Sequence, residues 1–226
     1  MTGPALVIFD MAGTTVEDGG QVPSAFASTL AANGIVLSPE EITRVRGASK
    51  RQAIRDLLNL SATEARLDEA SSRSRADQIY AEFRRSLAHS YTTGGVRSVP
   101  GAAALIQDLR GRGIKVALTT GFDRDITTLL LSSLGWTRHT VDAVVCGDDV
   151  SNGRPAPDMI LFAMKLSAVD DPAQVANVGD TTLDLESAAR AGVKWNIGVL
   201  SGAHGREALE RAPHTQIIQS VADLRF

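Results

Sequence analysis

The sequence predicts an α/β fold: a doubly wound parallel sheet interrupted near its start by a helical module. Three observations predict it. First, Leu6-Val7-Ile8-Phe9-Asp10 sets four apolar residues, two of them β-branched, in a run too short for a helix and ending at a carboxylate. Second, roughly seventy residues from Val22 to about Ser90 hold no convincing strand, as expected of an inserted helical module. Third, from Pro100 onward helical and strand-like segments alternate regularly, which is the signature of βα units around a parallel sheet.

Taken in order, the opening strand is followed by Gly13, two threonines and the turn Glu17-Asp18-Gly19-Gly20. A helix is expected over Pro23–Leu30, stopped by Asn33-Gly34. Ser38-Pro39-Glu40-Glu41 starts another, with serine as cap and proline in the first turn. Gly47-Ala48-Ser49 interrupts before a helix from Lys50 to Leu58. A long polar-rich helix from Thr63 to about His89 has Leu67, Ala70, Ile79, Phe83 and Leu87 as candidate packing residues, and Tyr91–Gly95 is the expected return hinge. The alternation then runs helix Gly101–Gly111, strand Lys115–Thr120, helix Arg124–Leu134 and strand Ala143–Cys146. It continues with helix Pro157–Leu166, strand Val175–Asp180, helix Thr182–Ala191 and strand Trp195–Leu200. A helix at Arg206–Arg211 and a short strand at Thr215–Gln219 close it. The expected domains are therefore 1–18 with 95–226, and 19–94.

The totals exclude several function classes. A net charge of −3 without long runs of one sign leaves no footprint for nucleic acid or an anionic membrane. The single cysteine, Cys146, excludes an internal disulfide, a C-x-x-C pair and a cysteine-rich zinc site, and is expected as a small buried hydrophobe at a strand end. No apolar run approaches the roughly 18 residues needed to span a bilayer, and no leader-like segment opens the chain, so a cytoplasmic protein is expected. His89, His139, His204 and His214 lack metal-ligand spacing, and no phosphate-binding G-x-x-x-x-G-K-[ST] loop or G-x-G-x-x-G fingerprint occurs. Only four of the 23 basic residues are lysines (Lys50, Lys115, Lys165 and Lys194), so each is worth asking about.

Parallel strands deliver their carboxyl ends to one rim, where ligands of open α/β sheets bind. Here those ends carry Asp10, Thr119-Thr120-Gly121 and Asp180-Thr181-Thr182-Leu183-Asp184, with Arg154 in the loop Asn152-Gly153-Arg154-Pro155. Carboxylates so placed can hold a hard divalent cation, and Mg²⁺ typically takes one or two of them with waters and substrate oxygens. A threonine hydroxyl, backbone N–H groups beside Gly121 and a guanidinium can neutralise a dianionic phosphoryl group. Each residue alone has a plainer reading: Asp10 as a cap or turn, Arg154 as a surface arginine, Ser201-Gly202 as a turn instead of a rim closure.

Together, and in this order, these segments resemble the four motifs of the haloacid dehalogenase superfamily across nearly the whole chain. The resemblance implies a Rossmann-like core carrying a small α-helical cap. It implies Asp10 as the nucleophile forming an aspartyl-phosphate, Thr120 holding the transferring group, and Arg154 stabilising nucleophile and charge. Thr119 and Gly121 would join in binding substrate. Asp10, the Ala12 carbonyl and Asp180 would ligate Mg²⁺, with Asp184 supporting that site.

Two details resemble the phosphonatase branch, which hydrolyses phosphonoacetaldehyde. Phosphatases of the superfamily usually carry a second aspartate two residues after the nucleophile, as acid for the leaving oxygen. Here that position is Ala12, within the D-x-A-G-T-T string that the branch shares. Lys50, in Arg46-Gly47-Ala48-Ser49-Lys50, falls where a cap lysine of that branch forms a Schiff base with the aldehyde. An imine lets carbon leave as an enamine, so no leaving oxygen needs protonation. Arg46 and Gly47 would contribute to substrate binding. The chain departs from the branch at Gly19-Gly20, Arg46 and Arg51-Gln52-Ala53, which stand where it carries a cysteine, a methionine and a histidine.

The residues leave alternatives open: a phosphate monoesterase in which Lys50 only binds charge, a dehalogenase, and a phosphometabolite-binding protein without turnover. The expected partner is a small phosphorylated or phosphonate metabolite. Nucleic acid and membrane are not expected, and a homodimer is left open.

Overall fold

The computed structural model of the chain describes residues 3–61 and 69–226. Six parallel strands form one sheet: β1 (Leu6–Asp10), β2 (Lys115–Thr119), β3 (Ala143–Val145), β4 (Val175–Gly179), β5 (Trp195–Val199) and β6 (Gln216–Ile218), in the order β3-β2-β1-β4-β5-β6. The order reverses direction at β1, so its carboxyl end lies at the topological switch point, where such sheets bind ligands. Every residue of β1 is buried, as a central strand covered on both faces requires.

The chain forms two compact units, Met1–Asp18 with Val96–Phe226, and Gly19–Gly95. In the first, α5 (Ala102–Gly111), α6 (Arg124–Leu134), α7 (Asp158–Leu166), α8 (Thr182–Ala191) and α9 (Arg206–Glu210) flank the sheet. Leu6, Ile8, Ala117 and Val145 pack against Met159, Ile160 and Ala163 of α7 and Ala188 of α8. Each large side chain so buried contributes about 1.5–3 kcal/mol of transfer free energy. Cys146 is fully buried just beyond β3, as a small hydrophobe at a strand end. Thr120, Cys146 and Asp180, expected as strand residues, fall one position past their ladders, where the chain turns into the loops.

The second unit contains α1 (Gln21–Ala32), α2 (Pro39–Arg44), α3 (Lys50–Ser61) and α4 (Glu69–Gly94). Ser38 caps α2 in a capping box, its hydroxyl accepting from the Glu41 N–H while the Glu41 carboxylate accepts from the Ser38 N–H. The buried stripe of α4 is Ser72, Ala76, Ile79, Phe83, Leu87 and Tyr91, at three- and four-residue steps. Two expectations for this helix are corrected. Ala70 is exposed, because it lies two residues, over half a turn, from that stripe. The expected hinge at Tyr91–Gly95 is helical through Gly94, because Tyr91 extends the buried stripe, and the chain turns only at Gly95 with φ +76°. Leu67 and the expected helix start at Thr63 lie outside the described residues. Phe26 of α1 meets Phe83 edge-on at 5.6 Å between ring centres, a pairing that adds about 0.5–1.5 kcal/mol to the area they bury. Among the described residues no helix is long and apolar enough to cross a membrane.

Candidate active site

β1 ends at Asp10, in register with Thr119 at the end of β2, while Asp180 follows β4 on the other side of β1. Beyond Asp10 the chain makes a tight turn in which the Met11 carbonyl accepts from the N–H groups of Thr14, Thr15 and Val16. Gly13 sits in that turn at φ +94°, and a Cβ there would overlap the Asp180 carboxylate, so only glycine serves both demands. Ala12 is half-buried within it.

Arg154 joins the strand ends. Its Nη1 donates to Asp10 Oδ1 at 2.7 Å, its Nη2 to Thr119 Oγ1 at 2.8 Å, and its Nε pairs with Asp184 Oδ1 at 2.9 Å. The Arg154 side chain is 4% exposed, so its forked geometry is fixed by protein partners and not by water. Asp184 is held from behind by the N-cap of α8: the Thr181 N–H donates to its Oδ2 at 3.0 Å and the Thr181 hydroxyl at 2.5 Å. Gly179, the last residue of β4, leaves room for this arrangement, since a Cβ there would overlap the Asp184 side chain.

Burial raises the Asp10 pKa well above its ordinary value; Arg154 opposes the shift, and the charges of Asp184 and Asp180 add to it. Burial works against the Arg154 charge as well, yet Asp184 and then Asp10 hold its pKa above the ordinary arginine value. Asp10 and Asp184 thus share one guanidinium, with the Asp180 charge close enough to act on both Asp10 and Arg154, and so many carboxylate oxygens at one rim suit a bound cation. The donors suit a small hard ion. Asp10, Asp180 and the Ala12 carbonyl offer only oxygen, whereas Asp184 is already engaged by Arg154 and Thr181. Among the described residues no group of three His, Cys, Asp or Glu side chains forms a metal cage.

The loop after β2 is tied down on both sides. The Phe122 N–H donates to Thr120 Oγ1 at 3.2 Å, and the Gly147 N–H to the Phe122 carbonyl at 2.7 Å. Gly147 approaches so closely that a Cβ would stand 2.8 Å from the Gly121 carbonyl. Asp123 then caps α6, accepting from the Ile126 N–H at 3.1 Å.

Lys50, Arg46 and Gly47 belong to the helical unit. Lys50 is buried, its Nζ donating to the carbonyls of Val45 at 2.9 Å and Ala48 at 3.2 Å, and standing 5.7 Å from the Phe26 ring centre. Gly47 supplies the left-handed residue, φ +77°, in the loop that carries those carbonyls, and the Arg46 N–H donates to Thr43. Carbonyl oxygens and a ring face all favour an ammonium.

Asp10, Thr119, Arg154 and Asp184 therefore form one bonded network, beside which stand Asp180 and the Thr120–Gly121 loop. Thr119 spends its hydroxyl oxygen on Arg154, a supporting contact that its type alone did not indicate. Sequence reasoning left out Thr14, whose hydroxyl donates to Asp180 Oδ1 at 3.3 Å, and His204, whose Nδ1 accepts from the Thr182 N–H at 3.0 Å. The D-x-A-G-T-T string contains the first; no spacing signal marks the second.

Residues 4–192 match the family model described as haloacid dehalogenase-like hydrolase. The phosphonoacetaldehyde hydrolase of Bacteroides fragilis is 29% identical over 213 residues, covering 92% of this chain and 80% of that protein. Its counterpart from Bacillus cereus is 31% identical over 205 residues, covering 87% and 76%. Among solved structures, a phosphonoacetaldehyde hydrolase-like protein from Oleispira antarctica superposes with a TM-score of 0.82 at 25% identity, covering 100% of this chain and 92% of that one.

Proposed function

The chain belongs to the haloacid dehalogenase-like hydrolase family, and from that premise we propose that it is a Mg²⁺-dependent hydrolase of a small phosphorus-containing metabolite, acting through an aspartyl-phosphate on Asp10. The observation that carries this reading is the buried Arg154 fork on Asp10 and Asp184 at the switch point of the sheet. Arg154 holds one Asp10 oxygen, leaving the other to attack phosphorus. Thr120, in its anchored loop, binds the transferring group, with backbone N–H groups beside Gly121. When bound, the cation held by Asp10, Asp180 and the Ala12 carbonyl supplies charge neutralisation for nucleophile and phosphoryl oxygens.

The favoured bond is C–P in an aldehyde-bearing phosphonate, a reading supported by the phosphonoacetaldehyde hydrolases among the relatives and by Ala12, which has no proton to give a leaving oxygen. Lys50 condenses with the aldehyde, releasing water. As an Asp10 oxygen bonds to phosphorus, the C–P electron pair moves to carbon and the iminium nitrogen takes up the charge, giving an enamine. Water then hydrolyses the acyl-phosphate, freeing phosphate and regenerating Asp10, while the enamine takes a proton at carbon and the resulting imine is hydrolysed by a second water, freeing the aldehyde and regenerating Lys50. For this the Lys50 amine must leave the Val45 and Ala48 carbonyls and lose a proton. Those two bonds are the observation favouring the second reading, a phosphate monoesterase in which Lys50 stays an ammonium and binds charge alone.

Phosphate release from phosphonoacetaldehyde, set beside a panel of small phosphate monoesters with and without Mg²⁺, separates the two. Preference for the phosphonate, with borohydride trapping on Lys50, is the expected result. Preference for an ester with no trapped adduct overturns the C–P reading and leaves the second.

A further inference from the structure

Asp180 is held by a turn outside the four motifs. After β5 the chain runs Ser201-Gly202-Ala203-His204 and folds back over the carboxyl edge of the sheet. The Ala203 N–H donates to Asp180 Oδ2 at 2.6 Å, and the His204 N–H to the Asp180 carbonyl at 3.2 Å. Both ends of the turn are anchored by side chains. The Ser201 hydroxyl donates to the Gly13 carbonyl at 2.7 Å, fixing one end to the turn after β1. His204 Nδ1 accepts from the Thr182 N–H at 3.0 Å, fixing the other to the first residue of α8. Only glycine permits the approach: a Cβ on Gly202 would overlap the Asp180 side chain, and one on Gly13 would come 2.9 Å from Gly202 Cα.

We infer that Ser201 and His204 are positioning residues for Asp180, holding the 201–204 turn so that the Ala203 N–H sets the direction of the carboxylate. The inference rests on the reading of Asp180 as a cation ligand. The Thr14 hydroxyl steers Oδ1 and the Ala203 N–H steers Oδ2, so the direction of the carboxylate follows from where these two donors stand. Neither Ser201 nor His204 touches the reacting atoms. Each acts through backbone that no side-chain substitution can remove but whose placement depends on them, as outer-shell partners of metal ligands do.

The test is calorimetric titration of Mg²⁺ into the metal-free protein, which reads binding without turnover. Ser201→Ala and His204→Ala are expected to weaken Mg²⁺ binding about tenfold, in line with other outer-shell losses. Ser201→Thr keeps the hydroxyl and His204→Asn keeps an acceptor at the Nδ1 position, so both restore wild-type affinity. A purely structural role would lower the melting temperature and leave the Mg²⁺ affinity of the folded protein where it was. That result in both alanine variants overturns the inference. Should they not fold, Ser201→Cys and His204→Gln, which keep bulk and displace the polar atom, take their place under the same criterion. Mg²⁺ binding by the wild type that Asp180→Asn abolishes establishes the ligand reading. Its survival in Asp180→Asn, or its absence from the wild type, sinks that reading and the inference together.

Discussion

The Arg154 guanidinium has Asp10, Thr119 and Asp184 as partners, and its planar fork is the only side-chain shape that can reach all three at once. Arg154→Lys keeps the charge and loses the fork, so kcat should fall at least ~10²-fold, the scale of a lost transition-state donor. Arg154→Ala leaves buried carboxylates uncompensated and should lower stability by about 3–5 kcal/mol in urea unfolding. Undiminished turnover in the lysine variant would remove Arg154 from the chemistry. Cys146 makes a cleaner prediction. Burial raises its thiol pKa from 9.0 to about 11, a Thr127 hydrogen bond offsetting part of the rise. The folded thiol stays neutral over that interval while the unfolded one ionises, so its share of stability is present below pH 9 and lost as pH rises toward 11. At pH 8 a thiol reagent should label Cys146 only after denaturation, and rapid labelling of the native protein would contradict its burial.

At the scale of elements, the start of α8 holds the site from behind. Thr181 is at once the helix cap and the partner of the Asp184 carboxylate, so one residue stabilises the helix and braces Arg154. Thr181→Ala should cost about 1–2 kcal/mol, the upper range for a lost cap, with a drop in kcat that Thr181→Ser reverses. Gly179→Ala, which drives a methyl into Asp184, should damage activity more than thermal stability. These contacts mark the limit of what could be read in advance. A strand ending in glycine and aspartate, then a threonine before a helix, is visible as a pattern. That Asp184 turns inward to Arg154, some thirty residues earlier, is set by where β4 and the loop after β3 meet in space.

At the scale of the molecule, the sheet order brings residues from both ends of the chain to one edge, where the carboxylates of Asp10, Asp180 and Asp184 gather. Binding of a divalent cation there should stabilise the native state by about 2.7 kcal/mol at a hundredfold excess over its dissociation constant. A rise in melting temperature with Mg²⁺, absent in Asp180→Asn, would show it. No shift in the wild type would mean that this edge holds no divalent cation.

The opening strand, the alternation of βα units, the helical stretch and the run of polar strand ends were legible because each is a local pattern of period, cap or turn. At Ala12 and Lys50 residue type alone tells that one position has no side-chain proton to give and the other has an amine. Tertiary structure decided the rest: the burial of Arg154, the commitment of Thr119 and Asp184 to it, the grip of Ser201 and His204 on the loops around Asp180, and the bonding of Lys50 to backbone carbonyls. Hydrogen-bond partners far apart in the chain are chosen by sheet order and by the close approach of glycine backbones. Neither leaves a periodic trace in sequence.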